Sequence, residues 1–357
     1  MLNLSERRNC FYWQTDRDLS VKDYEKIFLK RHDVAPQEVI RILQAGITVL
    51  PHIKTIELIP ADENVLKGNV NIVRKVIINN QEFVVRMHPK GVKNGYFFVE
   101  KTILEQLKVK ELPVPEVLEV HTATGENDMD FMLMTVAPGI TMDVLLSKDK
   151  EPENQLLHSA GSLMARIHEI NVHGFGSFDN RIAKTENQLA GLHKNYHDFI
   201  WSGLEENLQR LIKFEVIQVG QSVNMQRTFE NMNFEPFDTA RLIHNDYADW
   251  NLLTDGKIIT GILDWDESHA GDPVADLACW STFFSMDRFA TFLEGYKLVG
   301  SLPVDFDTRF HFYRLRYTIS KMALRVKRFQ VDKSDFLKDK IRVGKEALLE
   351  ETAFFGI

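Results

Sequence analysis

Cysteine is nearly absent from this chain: Cys10 and Cys279 are its only two, far apart and without metal-ligand spacing, which excludes a disulfide scaffold and a cysteine-built zinc site. Reduced thiols, and with them a cytoplasmic protein, are expected. No apolar run approaches the roughly 18 residues that a membrane-spanning helix needs. Met1 to Trp13 also lacks a charged start followed by an apolar core, so neither a membrane protein nor an exported one is expected. A basic surplus is missing too. The formal net charge of −8 argues against a general nucleic-acid binder and leaves small cationic ligands open. Internal repeats, low-complexity segments and a Gly-x-Gly-x-x-Gly phosphate loop are all lacking.

What is present is room for two lobes in 357 residues, and one stretch dense in chemistry, Leu242 to Asp276. Arg241 to Ile243 reads as a short strand that leaves into a tight turn at His244-Asn245-Asp246. Asn251 follows five residues after Asp246. Thr254-Asp255-Gly256-Lys257 makes a hairpin turn, and Ile258 to Leu263 returns as a strand ending at Asp264. Asp246, Asn251 and Asp264 therefore converge on one end of a small sheet. Phosphoryl transfer needs a carboxylate to accept a hydroxyl proton and oxygen ligands for phosphate-bridging Mg²⁺. Asp246 is read as the base, and Asn251 and Asp264 as the metal ligands. Any one of them alone would more simply cap a turn.

At these residues the chain resembles the aminoglycoside phosphotransferase and choline kinase family, small-molecule relatives of the protein kinases. The likeness rests on His244-x-Asp246-x-x-x-x-Asn251, an apolar strand ending in Asp264-Trp265, then Gly271-Asp272-Pro273 and a helix opening with Asp276-Leu277-Ala278. It implies an α+β, two-lobed protein-kinase-like fold that binds Mg²⁺ and ATP, with GTP left open, and phosphorylates a hydroxyl of a small molecule. Within it, His244 and Asp276 have structural roles, bracing the catalytic loop. Residues 1–52 would be a helical preamble packed on the outside of the first lobe, 53–138 a β-rich nucleotide lobe, and 139–357 a helical catalytic lobe.

In the first lobe, Thr55 to Ile59, Val70 to Ile78 and Phe83 to Met87 are β-type runs, the last two joined by Asn79-Asn80. The turn Lys67 to Asn71, with Gly68 and Asn69, would lie over the phosphates by resemblance. Alternation places Val84 and Arg86 on one face of their strand and Phe83, Val85 and Met87 on the other. Arg86 stands where the family usually has Lys, a departure shared by members resembling hygromycin phosphotransferases, and its guanidinium can grip phosphate oxygens. By resemblance, Glu100 on a helix from Gly95 to Leu107 orients Arg86. The apolar run Phe131 to Gly139 would link the lobes, with Met134 behind the base and the backbone of Thr135 and Ala137 on its edge.

The remainder reads as helical. His168 is taken as a core or capping residue. Although a surface helix pair gives the same pattern, Tyr196 and Trp201 are by resemblance candidates for the acceptor wall. So are Asp249, Asp266, Glu267 and Asp272, because carboxylates crowd the segment before Asp276 against a single Lys257. Such a lining favours a cationic acceptor such as an aminoglycoside. Whether the protein is a monomer or a homodimer is left open. Rival readings are a kinase-like binding module without turnover, and a protein kinase; Asp264-Trp265-Asp266 in place of Asp-Phe-Gly disfavours the latter.

Overall fold

The computed structural model describes residues 2–17, 19–24, 34–50, 52–59, 71–90, 92–93, 95–125, 128–231 and 240–357. The Gly68 and Asn69 turn lies outside them. In the first lobe the described strands form an antiparallel sheet in the order Ile56–Leu58, Ile72–Ile78, Gln81–Met87, Phe131–Thr135 and Val117–His121. Asn79 and Asn80 join the central hairpin with φ of 49° and 68°, the left-handed pair that a two-residue turn requires and that asparagine tolerates.

The two faces of this sheet bury different things. Phe83, Val85 and Met87 pack with Val39, Ile42 and Leu43 of helix Pro36–Gly46. Val84 and Arg86 face the other way, toward helix Phe97–Val109, whose Val99, Ile103 and Leu107 are buried. Fully burying each such apolar side chain contributes about 1.5–3 kcal/mol, so the strand period alone dictates which side the single cation takes.

Strand Phe131–Thr135 leaves through Pro138-Gly139. Gly139 has φ of 106°, and a Cβ there would lie 2.5 Å from the Thr254 carbonyl oxygen. Only glycine fits. Thr260 Oγ1 also donates to the Pro138 carbonyl at 2.5 Å, and Ile140–Thr141 pairs with Leu252–Thr254, itself paired with Ile259–Ile262. The connection between lobes is thus pinned to the hairpin that carries Asn251 and Asp264.

The second lobe is built on helices. Glu153–Ile167 and Met286–Lys297 approach so closely that a Cβ on Gly161 would sit 2.0 Å from the Phe292 carbonyl oxygen, and one on Gly295 would sit 2.1 Å from that of His158. Helix Phe306–Arg328 runs through the lobe with Tyr313, Leu315, Arg316, Tyr317 and Ile319 buried.

The expected preamble needs correction. Helix Pro36–Gly46 does cover the first lobe, but residues 4–17 are threaded into the second. Phe11 packs at a tilt against Phe199 and Tyr317 with centroids 5.2 and 4.9 Å apart, and Tyr12 meets Tyr317 edge-on at 5.6 Å. Asp16 accepts from Asn207 Nδ2 at 2.7 Å. Phe11, Tyr12 and Trp13 are consecutive, so they carry no helical or strand period from which a burial partner could be read.

Candidate active site

Ala240–Ile243 is a short strand, after which Asn245 turns the chain with φ of 68°. A buried carboxylate holds that turn. Asp276, in the first turn of helix Pro273–Ser281, accepts from the backbone N–H of His244 and of Asn245, each at 2.8 Å, and from His168 Nε2 at 3.1 Å. Burial pushes its carboxyl up, but the bond and charge of His168, with His244, hold it below the usual carboxylate range. His244 donates through Nε2 to the Leu263 carbonyl at 3.1 Å and accepts at Nδ1 from the Asp246 N–H at 3.3 Å. Burial keeps its imidazole below its ordinary pKa, consistent with a neutral ring doing both. His244 therefore ties the loop before Asp246 to the strand before Asp264.

Three expected residues meet here. Asn251 Nδ2 donates to Asp246 Oδ2 at 2.9 Å and to its carbonyl at 2.8 Å, which leaves the amide oxygen to turn toward a cation. Leu263 N–H donates to the Asn251 carbonyl at 2.8 Å, coupling the two hairpin strands. Asp264 sits in the left-handed region at φ 63°, its carboxylate 47 % exposed and 2.9 Å from Arg86 Nη2. Burial pushes the Asp246 carboxyl up and the Asp264 charge adds to this, while Lys321, Asn251 and the Trp250 indole pull it down, leaving it at about 7.

Arg86 bridges the lobes. It donates through Nη1 to Glu100, which is buried on helix Phe97–Val109, and through Nη2 to Asp264. Burial works against the cation, yet Glu100 and Asp264 hold its pKa above the ordinary value. Val84 pairs across the sheet with Met134, and the two form an apolar floor on the same face as Arg86. One expected contact is spent: the Thr135 N–H donates to the Glu116 carbonyl at 2.9 Å, so only its carbonyl and the Ala137 backbone are left for a purine edge.

The expected acceptor carboxylates are corrected. Asp249 pairs with Arg288 at 2.7 Å, Asp266 with Arg7 at 2.6 Å, and Asp272 with Arg309 at 3.0 Å. Asp272 also caps helix Pro273–Ser281 by accepting from Val274 N–H at 3.0 Å, and it accepts from Tyr313 at 2.9 Å. Glu267 is 8 % exposed and accepts from the Gln14 N–H at 3.1 Å; burial, then Asp266 and Asp246, push it well above the carboxylate range. Three of these four charges are matched by arginine and the fourth is pressed toward neutrality, so they do not make an anionic wall. Tyr196 donates to Tyr313 at 2.5 Å, which ties it to the Asp272 network, and Trp201 lies against His197.

Several participants carried no local signal. Arg7, wedged between the rings of Trp13 and Tyr96, is 259 residues from Asp266. Tyr317 donates to Asn245 Oδ1 at 2.6 Å. His168, read as a core residue, is one and is also the third member of the Asp276 brace. Lys321 is a lone cation within the buried run Tyr317 to Leu324, the one hint that a closer reading of the helix offers.

This is the layout of a two-lobed, kinase-like phosphotransferase, with a cation held by a helix carboxylate in one lobe and two carboxylates and an amide in the other. The phosphotransferase enzyme family matches residues 64–311, and the chain belongs to that family. It is 23% identical over 205 residues to hygromycin-B 4-O-kinase of Escherichia coli, covering 56% of this chain and 57% of that protein. It is 22% identical over 271 residues to acyl-CoA dehydrogenase family member 10 of Mus musculus, covering 73% of this chain and 24% of that protein. The match thus spans little over half of the one and about a quarter of the other. Among solved structures, a thermostable mutant of aminoglycoside phosphotransferase APH(4)-Ia with AMP-PNP and hygromycin B superposes with a TM-score of 0.59 at 18% identity, covering 88% of this chain and 99% of that one. A putative aminoglycoside phosphotransferase from Ralstonia eutropha gives 0.60 at 15% identity, covering 89% and 98%. These likenesses are of fold. No helix of the described residues is long and apolar enough to cross a membrane.

Proposed function

We propose that this protein transfers the γ-phosphoryl group of ATP to a hydroxyl of a small molecule, with Mg²⁺. The observation that carries the reading is the pair of contact sets Glu100–Arg86–Asp264 and Asn251–Asp246, tied where the Leu263 N–H donates to the Asn251 carbonyl, which sets a phosphate-gripping cation beside a base. Asp246 accepts the acceptor's hydroxyl proton as the new P–O bond forms and the bond to the departing ADP oxygen breaks. A carboxylate near neutrality in pKa suits that task better than an ordinary one. Arg86 holds phosphate oxygens, and Glu100 keeps its guanidinium aimed. Asn251 and Asp264 supply hard oxygen donors, one buried and one half-exposed, which fits Mg²⁺ because that ion takes few protein ligands and keeps waters. Asn251 and Asp264 would hold that Mg²⁺ beside Arg86, and the ion would supply positive charge against the negative charge developing on the phosphates. Val84, Met134 and the Ala137 backbone are the proposed purine site.

A second reading concerns the acceptor's charge. A cationic acceptor such as an aminoglycoside is supported by the E. coli relative named for hygromycin B and by the structure holding it. ADP release across aminoglycosides, amino alcohols, sugars and hydroxy acids, each at low and high salt, tests both readings. Phosphotransfer predicts Mg²⁺-dependent ADP release with at least one alcohol, and none from any would refute it. A cationic acceptor predicts a KM that worsens with salt, since screening acts over about 8–10 Å at ordinary ionic strength.

A further inference from the structure

Four arginines packed around the catalytic loop have carboxylates of their own: Arg7 has Asp266, Arg86 has Glu100, Arg288 has Asp249, and Arg309 has Asp272. Lys321 differs. It is 7 % exposed, and its ammonium forms no ion pair among the described residues. It donates to Thr282 Oγ1, lies 3.9 Å from Cys279 Sγ, and stands 3.6 Å over the centroid of the Phe283 ring, with Tyr12 and Tyr317 at 5.5 and 5.9 Å. Aromatic faces offset part of the cost of burying a cation, but a hydroxyl and a weakly accepting sulfur leave its three donors incompletely used.

Its neighbours locate it. Phe283 meets Trp250 edge-on at 5.2 Å; Trp250 is 42 % exposed, and it is among the groups that pull the Asp246 carboxyl down. One helical turn before Lys321, Tyr317 holds Asn245. Lys321 is therefore flanked on both sides by residues that touch the catalytic loop, and Asp246 is the loop carboxylate whose charge it feels. Arg86 has a separate set of neighbours, Glu100, Asp264 and Phe97, which mark the nucleotide end. Lys321 and Tyr12 also lie outside residues 64–311, so the family match does not account for them.

We propose that Lys321 reads an anionic group on the acceptor, which is a small hydroxylated acid whose hydroxyl meets Asp246 and whose carboxylate or phosphate meets the ammonium beside Phe283. This rests on the phosphotransfer reading and replaces the cationic acceptor.

The test uses the full chain, Mg²⁺ and ATP, with alcohols paired by charge: glycerate against glycerol, serine against ethanolamine, and glycerol 3-phosphate as the phosphate arm. The acid of a pair should be the better substrate, and Lys321→Met should raise its KM by about 10–100-fold, the worth of a hydrogen bond to a charged group. Lys321→Arg should recover part of that loss. Mg²⁺–AMP-PNP binding by calorimetry should be unchanged in the variants; if Lys321→Met loses it through misfolding, Lys321→Gln takes its place. Preference for glycerate or for glycerol 3-phosphate tells carboxylate from phosphate. Better turnover of neutral or cationic alcohols overturns the proposal and leaves phosphotransfer standing. So does a fall in kcat that is equal for acid and neutral acceptors with KM unchanged, because Lys321 would then act on Asp246 or the moving phosphoryl group. No ADP release from any alcohol, with Mg²⁺–AMP-PNP still bound, overturns both.

Discussion

The two sides of Asp246 are built on opposite plans. Toward the nucleotide, Asp276, His244, Asn251 and Asp264 lie within 33 residues of one another in sequence, and Asp276 satisfies two loop N–H groups at once. On the proposed acceptor side, three of the four carboxylates are met by distant cations: Arg7 reaches Asp266, Arg288 reaches Asp249, Arg309 reaches Asp272. A local cluster of charge predicts a potential only if nothing distant neutralises it. In a buried site something usually must, because an unpaired buried charge is costly.

The sharpest way to break this contrast is at its centre. Asp246→Ala should lower kcat by about 10²–10⁴-fold while Mg²⁺–nucleotide affinity is kept, because it removes the proposed base and neither of the proposed metal ligands. Steady-state kinetics beside calorimetry would decide it, and wild-type turnover would remove Asp246 from the chemistry. Next is the acceptor side's dependence on remote cations. Arg7→Met should cost about 3–5 kcal/mol in urea unfolding, since it removes the buried cation paired with the buried Asp266. It should also raise the KM for ATP, because Asp266 then competes with Glu100 and Asp264 for Arg86; unaltered stability would mean that the amino-terminal segment only decorates the lobe.

The nucleotide side offers a finer test. Arg86→Lys and Glu100→Gln should be non-additive in kcat/KM for ATP, with a coupling of about 0.5–3 kcal/mol in a double-mutant cycle. Simple addition would show that the buried pair does not act as a unit. The smallest effect is a control. Lys108 and Glu116 also form an ion pair, but both are half-exposed, so Lys108→Ala should change stability by about 0–1 kcal/mol. A loss as large as that of Arg7→Met would mean that burial is not what separates the pairs.

How much could be read in advance follows the same division. The hairpin at Asn79-Asn80, the two faces of strand Gln81–Met87, and the set Asp246, Asn251 and Asp264 were legible because period and turn chemistry act over a few residues. Arg86 beside Glu100 was legible only through resemblance, since nothing in a helical glutamate says which strand it will meet. The positions given to Asp249, Asp266 and Asp272 were misread for the same reason in reverse. Their partners stand 39, 259 and 37 residues away.

By itself the amino-acid sequence determined the elements of each lobe, the order of Asp246, Asn251 and Asp264, and the family, because these depend on local backbone preference and on residue type at short spacing. Only the tertiary structure decided where charge survives. It threaded Phe11, Tyr12 and Trp13 into the second lobe, spent three acceptor-side carboxylates on arginines, and left Lys321 without one. Burial raises the cost of an unpaired charge, and which charges are buried together is a property of packing that no stretch of the chain contains on its own.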